Sequence, residues 1–89
     1  MKIKIDPHTL KRAEERGTTT GEIRDVINTG FSIPAKSYRR AKAKVFDYRK
    51  KRLGKWYARK RVEVIYTLER DKIITVTVYV FYGNWKEQK

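Results

Sequence analysis

"KVFDYRKKRLGKWYARKRVEVIYTL" runs from Lys44 to Leu68, and the way it is read decides the fold. Val62, Val64, Tyr66 and Leu68 recur at every second position, the period of a strand with one buried face. Upstream, Lys44 to Arg52 also reads as a strand, and Leu53-Gly54 between the two runs has the length of a tight hairpin turn. From Tyr48 to Arg61 there is no acidic residue. The segment is still no tail, because its second strand continues into apolar positions, and disordered basic segments lack such aromatic and β-branched content.

Working outward, Arg70-Asp71 predicts another turn and Lys72 to Tyr82 a further strand. Strict alternation sorts Ile74, Val76, Val78 and Val80 to one face, and Ile73, Thr75, Thr77, Tyr79 and Phe81 to the other. At the other end, Lys2 to Ile5 suits a short edge strand. Asp6-Pro7 then reads as N-cap and first helical residue of a helix that runs to Arg16 and stops at Gly17. Thr19 and Glu22 have the spacing of a capping box for a second helix, with Ile23, Val26 and Ile27 on one face and Gly30 at its end. Phe31, Ile33 and Pro34 lead out into the basic segment. The expected fold is α+β: two N-terminal helices packed on one face of a mostly antiparallel, twisted sheet of about four strands, a single domain over residues 1–89.

The chain has 23 Lys/Arg against 10 Asp/Glu, a net charge of +13 over 89 residues. Lys36 to Arg61 holds 13 of those cations and one acid, Asp47, so +12 lies there and the rest of the chain carries +1. A field this concentrated attracts polyanions, because each neutralised phosphate releases counterions. A surface made basic only for solubility usually mixes both signs. Rings alternate with the cations, which suits stacked bases beside phosphates. The expected RNA contacts on the hairpin are Lys44, Tyr48, Arg49, Lys51, Arg52, Lys55, Tyr57, Arg59 and Arg61. Phe46 and Trp56 are expected in the core.

Other classes find little footing. There is no cysteine, hence no disulfide or thiolate metal site. No run approaches the ~18 apolar residues of a membrane span, and Met-Lys-Ile-Lys-Ile lacks the apolar core of a signal peptide, so the expected location is the cytoplasm. The carboxylates are scattered, so no metal or other cofactor is expected. The one histidine, His8, shares a helix face with Arg12 and with Glu15 or Arg16. Imidazole moves protons near neutrality, and arginine meets charge growing on a phosphorus. A surface histidine with local Arg–Glu pairs explains the same pattern.

"PHTLKRAEERGTTTGEIRDVINTG", Pro7 to Gly30, together with "IITVTVY", Ile73 to Tyr79, resembles the small RelE and BrnT toxin domains of the barnase–EndoU–colicin–RelE fold group. That resemblance implies a metal-independent endoribonuclease, cleaving by 2′-OH attack on the adjacent phosphate and restrained by an acidic antitoxin protein. RNA, free or as ribosome-bound mRNA, is then the substrate. Carried over, His8 is the general acid or base and Arg12 or Arg16 binds the scissile phosphate. Thr75 or Thr77 lines the cleft with Tyr79, while Lys55, Arg59 and Arg61 hold the RNA backbone. Many such toxins place a key Arg and Tyr near the C-terminus, where the candidates here are Tyr82 and Lys86. The alternative is a non-catalytic RNA- or DNA-binding module using the 44–61 hairpin, and a third reading is a domain whose ligand is an acidic protein.

Overall fold

A computed structural model describes residues 1–86 of the chain. The elements are β1 (Lys2–Lys4), α1 (Pro7–Arg16), α2 (Thr20–Thr29), β2 (Phe31–Ile33), β3 (Arg40–Arg52), β4 (Lys55–Glu69) and β5 (Lys72–Gly83). The strands form one sheet in the order β1-β5-β4-β3-β2, with β1 parallel to β5 and every other pair antiparallel. The architecture is therefore α+β with a five-stranded mixed sheet. The strand beyond the expected four is β2, whose Phe31 and Ile33 pair with Ala43 and Ala41 instead of leading away from the sheet.

β3 and β4 set the shape of the molecule. At ~3.3 Å per residue the 15-residue β4 spans about 50 Å if straight, and the longest extent of the chain is 42 Å. Leu53 and Gly54 close this hairpin with φ of 52° and 82°, the two positive values of a type I′ turn.

One face of the sheet carries both helices. Ala13 of α1 and Ile23, Val26 and Ile27 of α2 pack on Val62, Val64, Tyr66, Ile73 and Val78, with Phe46 and Val80 against the margin. Leu68, expected on this face, lies beyond the helices and is exposed. Trp56, expected in the core, is half exposed. Two glycines let the layers approach. Gly17 turns the chain off α1 at φ 85°, and a side chain on Gly30 would meet the carbonyls of Val26 and Ala43 at 2.4 and 2.6 Å.

The strict alternation of β5 fails at one residue. Ile65 pairs with Thr77 but Tyr66 pairs with Thr75, so Val76 is an extra residue and a bulge shifts the parity. Ile73 and Thr75 thus join Val78 on the helix side, while Thr77 and Tyr79 lie on the other. The caps also differ from expectation. The Asp6 side chain makes no cap bond, and its N–H donates instead to Thr75 Oγ at 3.0 Å. Thr19 Oγ accepts from Glu22 N as expected, but the Glu22 carboxylate turns to Thr18 Oγ and Lys60 Nζ.

Candidate nucleic-acid interface

The parity of β4 divides its cations. Lys60 stands two residues before Val62 and points, like it, at the helices. It is 6% exposed and donates to Gly17 O at 2.9 Å and Glu22 Oε1 at 2.7 Å. Arg59 and Arg61 point the opposite way. Arg59 pairs with Asp47 across the hairpin, and Arg61 donates to Glu63 at 2.8 Å with its guanidinium 5.2 Å from the Phe31 ring centre. Among the described residues the Arg59 Nε is buried without a hydrogen-bond partner.

The same division holds on β3. Lys44 faces α2 and bonds both carboxylate oxygens of Asp25 at 3.0 Å. The Thr29 hydroxyl, followed by the Lys44 ammonium, holds the Asp25 carboxyl below the usual range. Near the hairpin end, Arg52 curls over the C-terminus of α1, donating to Glu15 O at 3.0 Å with its guanidinium 4.9 Å from the Tyr82 ring. Tyr82 OH donates to Arg16 O at 2.7 Å, and burial raises its phenol above the ordinary value. Tyr48 and Tyr57 pack on Tyr82 at 5.1 and 5.6 Å between ring centres. Lys44, Tyr48, Arg52, Tyr57, Arg59 and Arg61 of the expected RNA contacts are therefore engaged within the protein.

The ribbon end is different. β5 stops at Gly83 opposite Arg59, so residues 50–57 continue as two paired strands without a third. A bulge between Asp47 and Lys50, with Arg49 at φ 51°, sets this end off. Arg49, Lys50, Lys51 and Lys55 are exposed there and enter no ion pair among the described residues. Lys50 and Lys55 lie 5.2 and 5.6 Å from the Tyr48 and Tyr57 ring centres, and Trp56 is 50% exposed beside them. At the other end of the sheet Lys36 and Arg39 of the β2–β3 loop are exposed, as are Arg40 at the start of β3 and Arg70 and Lys72 at the β4–β5 turn.

The expected catalytic set is not gathered. His8 is exposed on the second residue of α1, on the helix side of the sheet, away from the face that carries Arg59 and Arg61. Arg12 bonds Glu15 at 2.7 Å and holds that carboxyl low. Thr75 does not line a cleft: it is 2% exposed, donating to Thr9 Oγ at 2.9 Å and accepting from Asp6 N. The bulge sends Thr77 to the other face. Only Arg16 and Tyr79 meet, the guanidinium 5.0 Å from the ring centre and Nη1 donating to Val78 O at 2.6 Å. That carbonyl belongs to the part of β5 that β1 leaves uncovered, since β1 reaches only Ile74. Lys86 is exposed and Tyr82 is anchored on α1, so neither extends this pair.

Sequence reasoning passed over Lys60, Lys50, Lys36 and Arg39. For Lys60 the signal was present, because its parity matches Val62 and Val64. No group of three His, Asp or Glu residues that could hold a metal occurs among the described residues. No helix among them is long and apolar enough to cross a membrane.

The chain matches the DUF4258 family, described as a domain of unknown function, over residues 5–80, and belongs to that family. No curated protein and no solved structure matches it.

Proposed function

We propose that this chain is a non-catalytic, basic domain that binds single-stranded RNA through the end of the β3–β4 hairpin. The observation that carries the reading is the two-stranded ribbon beyond Gly83, where Arg49, Lys50, Lys51 and Lys55 stay outside internal ion pairs and Trp56 is half exposed among them. Cations next to ring faces serve a strand whose bases are free to stack and whose phosphates remain open. The resemblance to RelE and BrnT domains makes RNA the first ligand to test and gives the fold a RelE-like reading. Anisotropy of a labelled single-stranded RNA tests the proposal, with the matched duplex and single-stranded DNA as controls. The expected result is tighter binding of the single strand than of the duplex, with both weakened by salt.

A second reading, a metal-independent endoribonuclease of a toxin–antitoxin pair, is favoured by one contact, that of Arg16 with Tyr79. It needs a proton carrier at the phosphate, and His8 stands on α1, apart from the cations of the ribbon. Incubating labelled RNA with the protein in EDTA separates the two. Intact RNA is the outcome expected of the binding domain, and fragments ending in cyclic phosphate replace it with the nuclease. An acidic partner protein would occupy the same ribbon and compete with RNA.

A further inference from the structure

The face of the sheet turned away from the helices carries Ala41, Ala43 and Val45 opposite Ile65, Glu63 and Arg61, and at its far end the β2–β3 loop lies against Ile65 and Tyr79. Ser37 takes φ 56° and Arg39 N donates to Lys36 O at 3.1 Å, so the loop turns tightly. This brings Lys36 and Arg39 to the rim of a concavity of about 360 Å³, whose other walls are Pro34, Ala35, Ile65 and Tyr79. That volume falls within the ~300–1,000 Å³ of small-molecule sites. Tyr79 is 42% exposed here. Arg16, whose guanidinium is 5.0 Å from the Tyr79 ring centre, does not line the concavity. Neither Lys36 nor Arg39 enters an ion pair among the described residues.

We propose that this concavity is a nucleotide subsite, taking a base on the Tyr79 ring above Ile65 and the phosphate of the same nucleotide on Lys36 and Arg39. An aromatic wall, an aliphatic floor and two exposed cations at one rim match the two halves of a nucleotide and no purely apolar ligand. The inference rests on the nucleic-acid reading above and extends it to a second site of attachment. Ile65 lies nine residues from Trp56 on β4, about 30 Å along the strand at ~3.3 Å per residue. A strand of RNA held at both ends would run along the sheet between them.

Calorimetric titration with adenosine 5′-monophosphate, adenosine and inorganic phosphate tests the subsite. The monophosphate is expected to bind at least about 10-fold more tightly than adenosine or phosphate alone, in keeping with one stacked base plus one charge contact. Tyr79→Ala should remove that advantage, Tyr79→Phe should keep it, and Lys36→Ala with Arg39→Ala should reduce the monophosphate to the level of adenosine. Equal binding of monophosphate and phosphate would overturn the proposal, as would a folded Tyr79→Ala variant that binds the monophosphate unchanged. Replacing Arg49, Lys50, Lys51 and Lys55 by Ala should leave monophosphate binding as it is. If that same variant also keeps full affinity for long RNA, the ribbon reading fails while the subsite stands.

Discussion

The carbonyls of Glu15, Arg16 and Gly17 form the negative end of α1, and Arg52, Tyr82 and Lys60 each donate to one of them. Three side chains from the basic hairpin and β5 thus cap a helix. Lys60 would leave the half-buried Gly17 carbonyl and the Glu22 carboxylate without their partner if removed, which is why it belongs to the fold more than to the interface. Tyr82→Phe removes one such bond and should cost about 1 kcal/mol in denaturant unfolding at neutral pH. Burial raises the Tyr82 pKa, so its stabilising effect is fully present below the ordinary phenol value near ~10 and is lost as pH rises through the higher folded value. The loss of stability as pH rises past the ordinary phenol value should accordingly be shallower in Tyr82→Phe than in the parent. Thr75 is the second residue whose role is structural. Thr75→Val should destabilise by roughly 1–3 kcal/mol, because the Asp6 N–H and the Thr9 hydroxyl are then left without their partner.

At the scale of elements, the hairpin turn holds a residue that does not suit it. Leu53 is 94% exposed at φ 52°, where a β-carbon is crowded and Asn is at ease. Leu53→Asn should raise stability by about 1 kcal/mol, read as a shift in the urea midpoint with unchanged slope. The hairpin itself was legible in the sequence, since the period of two on β4 and the two-residue gap before it are local signals. So were both helices, from Pro7 and Gly17 and from the Thr19 cap. β2 was not, because three residues carry too little periodicity to separate a strand from a lead-out. Nor was the bulge at Val76: an extra residue in "TVTVYV" leaves the pattern looking regular, while its effect is to exchange the faces of everything before it. The expected grouping of Thr75, Thr77 and Tyr79 failed for that reason. The pairing of Lys44 with Asp25 depends on which elements meet, and composition could not show it, whereas Arg61 and Glu63 share a face of β4 by parity alone.

For the whole molecule, +13 overstates what a ligand meets. Arg59, Lys60 and Arg61 in the middle of β4 and Lys44 on β3 are paired with carboxylates, whereas the exposed cations of the ribbon end and of the β2–β3 loop enter no ion pair among the described residues. A binding surface of this kind should respond to removal of the ribbon cations and be indifferent to His8. His8→Ala is expected to leave both stability and RNA affinity within error of the parent. The salt dependence of single-stranded RNA affinity bears most sharply on the ribbon as the RNA site, measured for the parent and for a variant with Arg49, Lys50, Lys51 and Lys55 replaced by Ala. Weaker binding is expected in the variant, with a slope of log K against log salt shallower by roughly 2–3, at ~0.7 for each phosphate no longer neutralised. An unchanged affinity and an unchanged slope, in a variant whose unfolding matches the parent, would contradict the assignment.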